Sequence, residues 1–174
     1  MRLNINLSVI LLVLLSSCST ISSTGKVIAD VPQEIKSGQM LPITAIANIS
    51  GTTIELEVAQ TPQQQATGLM FREALADNRG MLFPFQSERT ARFWMKNVPI
   101  SLDMIFLNGD RVVGLAVDVP PCQTEPCPIY GPEALVDQVL ELRGGRAKEL
   151  GIKVGDTIKI QASDINKQPY LKNQ

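Results

Sequence analysis

The sequence contains no histidine. That absence removes the usual base of a Ser-His-Asp triad, the usual zinc ligand and the side chain whose charge changes near neutral pH. An excess of one charge is also missing. Sixteen Lys and Arg face 17 Asp and Glu, a formal balance of −1, so nothing recommends nucleic acid as a partner. There is no internal repeat, no P-loop or dinucleotide-binding glycine pattern, and no strand–helix alternation of the kind that builds a parallel sheet. The three cysteines form no Cys-x-x-Cys pair of the redox or zinc-knuckle kind. No cofactor and no metal are expected. Only one long apolar run is present, and it lies at the N-terminus.

That run, Leu7 to Leu15, follows Met1-Arg2 and is too short to span a bilayer as a stable helix. It reads as the apolar region of a signal peptide over residues 1–17. Leu15-Ser16-Ser17-Cys18 then resembles the lipobox of bacterial lipoproteins. The resemblance implies cleavage before Cys18 and lipidation of its sulfur. An ordinary secretory signal with a chance cysteine is the alternative. Two or three acyl chains hold a protein on a membrane far better than one, so the expected location is membrane-anchored and extracytoplasmic. Ser19 in place of Asp fits sorting to the outer membrane. Without Arg2 the mature chain carries 15 basic and 17 acidic residues, a balance of −2.

Residues 18–40, rich in Ser, Gly, Lys and Gln, read as a lipid-anchored flexible tether reaching on the order of 25 Å. A single mainly-β domain is expected over 41–162, followed by a polar tail over 163–174. Strand signals recur within it. "TIELEVA" alternates, with Ile54, Leu56 and Val58 on one face and Glu55 and Glu57 on the other. "GMLFPF" reads as a buried strand in which Pro84 demands an edge or a bulge. "TARFWMKN", "LDMIFL", "RVVGLAVDV", "DQVLEL" and "DTIKI" read as further strands, with Asn108-Gly109 as a hairpin turn. Helices are expected at "TPQQQAT" and "GGRAKELG". In the first, Thr61 is the cap, Pro62 the first helical residue, Gln64 the capping-box partner and Gly68 the stop. About eight short strands and two short helices predict an antiparallel sandwich or a partly closed barrel.

Polar residues in apolar strands mark the candidate site. Strand pleating puts Phe93 and Met95 on one side and Arg92, Trp94 and Lys96 on the other. An indole beside an ammonium suits a small polar or anionic ligand. The plainer alternative is a lysine stem packed over the ring with its charge in water. Asn97-Val98-Pro99 reads as a bend, where Asn97 can satisfy local backbone groups. Asp103 and Glu141 are carboxylates inside apolar strands and need partners, because an unpaired buried charge costs several kcal/mol. Lys96, Arg72 or backbone N–H groups are the candidates for Asp103, and Arg72 or Arg143 for Glu141. The expected ligand-binding cluster is therefore Arg72, Trp94, Lys96, Asn97, Asp103 and Glu141. Gly144-Gly145 before a helix could cradle an anion, though a turn is the commoner use. Met70, Met81, Met95 and Met104 could offer a soft metal their thioethers, but without histidine or a tight motif they read as core filling. Cys122 and Cys127, bracketing "CQTEPC" in an exported protein, are expected to pair.

"GLMFRE", "GMLFPF", "FWMKNVPISLDMIF", "PPC", "VLEL" and "GIKVGD" occur in the order that resembles domain of unknown function family 192, from about Ile43 to Ile160. The resemblance implies a mainly-β domain, often exported, and brings no activity with it. Two departures stand out. Val98 occupies a position where the family often has Thr, and "CQTEPC" carries a cysteine beyond the usual one, favouring a disulfide over a free thiol. Three functions remain in view: a tethered binder of a small polar or anionic ligand, a protein-interaction module of an envelope assembly, and a hydrolase of envelope glycans with Asp103 and Glu141 as acid and base.

Overall fold

The computed structural model describes residues 37–163. The signal peptide, the lipidation site Cys18, nearly all of the tether and the tail beyond residue 163 lie outside the described residues. Strands β1 (Ile43–Ile49), β2 (Thr52–Val58), β3 (Arg79–Arg89), β4 (Leu102–Asn108), β5 (Arg111–Val119), β6 (Val136–Arg143) and β7 (Ile160–Ala162) form one sheet, with helices α1 (Pro62–Thr67) and α2 (Arg146–Glu149). The sheet order is β5-β4-β6-β3-β2-β1-β7. The domain is mainly β, as the sequence predicts. Among the described residues no helix is long and apolar enough to cross a membrane.

Three expectations change. The sheet is mixed, because β2 and β3 pair in parallel through the crossover that carries α1. "TARFWMKN" is not a sheet strand. Its one β-bridge joins Phe93 to Tyr130, since β3 has already run on to Arg89 and the segment lies over a sheet face. Its pleat survives, with Ala91 and Met95 buried and Arg92 and Trp94 exposed. "DTIKI" also behaves differently. Thr157 bridges Arg111 of β5, and only from Ile160 does the chain pair with β1 as β7. Ile158 donates its N–H to the Asp110 carbonyl at 2.8 Å. This segment thus links the neighbourhoods of both sheet edges without closing a barrel.

Both faces of the sheet are buried, as the apolar residues on both sides of β4 require. One core contains Leu56, Leu82, Ile105, Leu140 and Leu142 under Ala147 and Leu150 of the α2 region. The other contains Met81, Phe83, Met95, Met104, Phe106 and Val139 under Leu69 and Val98. Met81, Met95 and Met104 are therefore core residues. Pro84 lies just past the β2 pairing, which ends at Leu82, and the β3–β6 register becomes irregular after it. The missing N–H costs little there.

The cysteine sulfurs of 122 and 127 lie 2.06 Å apart, at disulfide distance. Closing so short a loop restricts the unfolded chain by about 2 kcal/mol. Urea unfolding with and without a reductant should differ by that amount, and coincident curves would contradict it.

Candidate ligand-binding site

The two buried carboxylates singled out by the sequence meet opposite fates. Asp103 faces α2. Its Oδ1 accepts the N–H groups of Asp118 at 2.6 Å and Gly145 at 3.0 Å, and its Oδ2 accepts that of Ala147 at 2.6 Å. Gly145 holds φ 80° as the cap of α2, a conformation that favours glycine. A side chain on Gly144 would collide with Asp118 Oδ1 and Ser101. The turn does cradle an acidic group, the protein's own Asp103, through the N–H groups of Gly145 and Ala147, while Gly144 donates to the Ser101 carbonyl. Partnership with backbone N–H groups was among the expected solutions; Lys96 and Arg72 take no part.

Glu141 points the other way. Leu142 pairs with Asp103 and Glu141 with Met104 across β6–β4, so the two carboxyls leave opposite faces of the sheet. They cannot act across one glycosidic bond, and the acid–base pair expected for a hydrolase is not formed. Neither expected partner reaches Glu141. Arg72 is held by Glu57 Oε1 at 2.9 Å, and Arg143 by Asp77 and Glu149. In that exposed cluster the guanidinium holds both acids below the ordinary carboxylate range, Glu149 at about 2. Among the described residues the Glu141 carboxyl makes no hydrogen bond or ion pair. The residue is 4% exposed, and burial pushes its pKa up to about 8.

Above Glu141 lies a cavity of about 330 Å³. Gln65 to Met70 form one wall, Phe83, Phe85 and Arg89 another, and Ala91 to Trp94 with Val98 the rest. Local sequence signals place the first wall. Thr61 Oγ1 accepts the Gln64 N–H, and Gln64 Oε1 accepts the Thr61 N–H in return. Gly68 ends α1 with φ 47°. Gln65 then ties the helix to the sheet by donating to the carbonyls of Ala59 and Pro84. Phe83 and Phe93 meet edge to face at 5.2 Å between ring centroids. Trp94 is 49% exposed at the cavity wall.

The remaining predicted site residues do not gather. Among the described residues no hydrogen bond or ion pair joins any two of Arg72, Lys96, Asn97 and Asp103. Lys96 Nζ lies 5.8 Å from the Trp94 ring centroid and 2.6 Å from Glu125 Oε1, on the "CQTEPC" loop. Asn97 adopts φ 58° in its bend, and its carbonyl accepts the Phe71 N–H. Arg72 donates to the Gln39 carbonyl while Glu57 accepts the Leu41 N–H. That pair clamps the chain where it enters the domain. Glu57, 3% exposed, was missed by sequence reasoning. Its strand alternates so plainly that Glu57 reads as solvent-facing, whereas in the fold it binds the Leu41 N–H and Arg72.

The family model DUF192, described as an uncharacterized ACR, matches residues 45–160. The chain belongs to DUF192. Two solved structures resemble this DUF192 domain. One, from Sinorhizobium meliloti 1021, is described as a "putative transcription regulator". It is 33% identical with a TM-score of 0.62, over 70% of this chain and 97% of that one. The other, a protein of unknown function from Novosphingobium aromaticivorans DSM 12444, is also 33% identical. Its TM-score is 0.61, over 72% of this chain and 94% of that one. No curated protein matches this DUF192 member.

Proposed function

We propose that the chain is a lipid-tethered, extracytoplasmic domain that binds a small polar ligand in the cavity above Glu141. The observation that carries this reading is one buried carboxyl, without a partner among the described residues, facing a cavity walled by four aromatic rings. No described side-chain oxygen is sealed from solvent without a hydrogen bond, so the Glu141 carboxyl opens to the cavity, where a bound ligand would replace water as its partner. Specific small-molecule sites have this composition: apolar walls and a few placed polar groups. The signal-like run and lipobox-like Cys18 support the tether. An anionic ligand has less support: Arg72 and Lys96 face Glu57 and Glu125, and of the two arginines at the cavity wall Arg89 lies over the Phe85 ring and Arg92 faces Glu133. The reading as a protein-interaction module is favoured by one observation. Trp94 and Ile129, flanking the Phe93–Tyr130 bridge, are 49% and 55% exposed.

A thermal-shift screen of small amines, amides, sugars and carboxylates tests the cavity. A ligand at about 100 times its Kd should stabilise the domain by roughly 3 kcal/mol. Ala66→Phe, which fills the exposed α1 side of the cavity, should abolish the shift without unfolding the protein. A shift unchanged in that variant would move the binding site elsewhere. No shift with any compound, alongside co-purification of an envelope protein from detergent extracts, would favour the interaction module.

A further inference from the structure

Glu141 offers acceptor oxygens to the cavity, and no described side chain donates to them. Its cross-strand neighbours on the same face are Met81 of β3 and Met104 of β4, thioethers without an N–H or O–H. From α1, the Gln65 amide is spent on two carbonyls and the Thr67 hydroxyl donates to the Gln63 carbonyl. The other charged groups lining the cavity are Arg89 of β3 and Arg92 of the following segment. Arg89 lies over the Phe85 ring, 4.7 Å from its centroid, and Arg92 faces Glu133 at 3.6 Å. Neither offsets the burial of Glu141, which alone sets the direction of its pKa. Phe83, Phe85, Phe93 and Trp94 make up the aromatic surface.

A lone acceptor among aromatic rings complements a cation. Ring faces attract cations electrostatically, and a charge-assisted N–H···O bond is roughly twice as strong as a neutral one. We infer that the cavity takes a small organic ammonium ion, its N–H groups on Glu141 and its apolar body against Phe83, Phe85, Phe93 and Trp94. This inference rests on the reading of the cavity as a ligand site and names the class of its ligand. An anion could draw on Arg89 and Arg92 at the wall only in competition with Phe85 and Glu133, and at Glu141 it would meet repulsion from the ionised carboxyl or a single neutral hydrogen bond from the protonated one. The ammonium arrives with its proton, and Glu141 gives up its own to solvent. Between about pH 5 and 8, binding therefore releases one proton, and affinity rises with pH because ionising the empty site is part of the cost.

Trp94 is the only tryptophan in the sequence, so its emission reports on this cavity alone. Phenethylammonium, phenylacetate and 2-phenylethanol share one aryl body and differ in charge. Titrating each into the protein at pH 5.5 and 7.5, with calorimetry in parallel, separates the possibilities. At pH 7.5 phenethylammonium should bind at least about tenfold more tightly than the other two. Its affinity should rise about 10- to 100-fold from pH 5.5 to 7.5, with proton release seen in buffers of different ionisation enthalpy. Glu141→Gln, isosteric and expected to fold, should lose at least about tenfold in affinity and flatten the pH dependence. Equal or tighter binding of the alcohol or the acid, or unchanged amine affinity in Glu141→Gln, overturns the ammonium inference and leaves the cavity as a ligand site. Silence from all three probes, with no hit in the wider screen, overturns both.

Discussion

Asp103→Asn should lower the unfolding free energy by about 3 kcal/mol and the melting temperature by about 10 °C. The carboxylate of Asp103 accepts three backbone N–H groups, from Asp118, Gly145 and Ala147. An amide presents one oxygen to them and turns an NH₂ group against at least one donor. Hydrogen bonds to a charged acceptor contribute about 1.5–3 kcal/mol each, and a buried donor left unpaired costs about 1–3 kcal/mol. The damage should spread along the chain, since Asp103 joins β4, the end of β5 and the start of α2. Hydrogen exchange at Gly145 and Ala147 should accelerate in the variant before the rest of the sheet is affected. Differential scanning calorimetry reads the first effect. An unchanged transition would mean that the Gly144-Gly145 turn holds without its internal anion.

Glu141→Gln should do the reverse for stability above neutral pH. Burial raises the Glu141 carboxyl from its usual value near 4.5 to about 8. Between those values the folded protein keeps a proton that the unfolded chain has lost. Stability from this group is therefore complete below about pH 4.5 and is lost as pH rises through 8, by on the order of 5 kcal/mol in all. Glutamine carries no such charge, so the variant should match wild type near pH 4 and exceed it by a few kcal/mol at pH 8.5. Asp77 and Glu149 act in a separate window. Their lowered values give a contribution present above about pH 4 and lost in stronger acid, common to both proteins. Denaturant unfolding from pH 4 to 9 gives the comparison. Parallel wild-type and variant curves would show that the carboxyl is solvated and would remove the main support for the cavity. A variant stabler yet deficient in binding is the pattern expected where a site is held at the expense of stability.

Sequence alone marked much of the machinery but assigned its parts imperfectly. It selected Asp103 and Glu141 by one argument, a carboxylate in an apolar strand, and that argument depends only on pleat and neighbours. It could not say that one would be satisfied and the other left open. Trp94 was found from the same alternation, although its segment is not a strand, because burial on one side imposes the period even with a single bridge. The proposed cluster of Arg72, Lys96, Asn97 and Asp103 failed because each long side chain found a nearer partner from a distant part of the chain.

The residues by themselves determined what is local: the β periodicity, the Thr61–Gln64 cap and Gly68 stop of α1, a hairpin between β4 and β5 (its turn falls on Gly109-Asp110, one residue later than Asn108-Gly109), and the need to cover β4 on both faces. Such features follow from contacts within a few residues, where sterics and hydrogen bonding leave few choices. Tertiary structure alone decided the parallel β2–β3 pairing, the burial of Glu57 under Arg72, and the register that sends Asp103 to the helix and Glu141 to the cavity. A shift of one residue in the β4–β6 register would exchange which carboxyl lies beside which neighbour, and that register is set by the packing of both cores together.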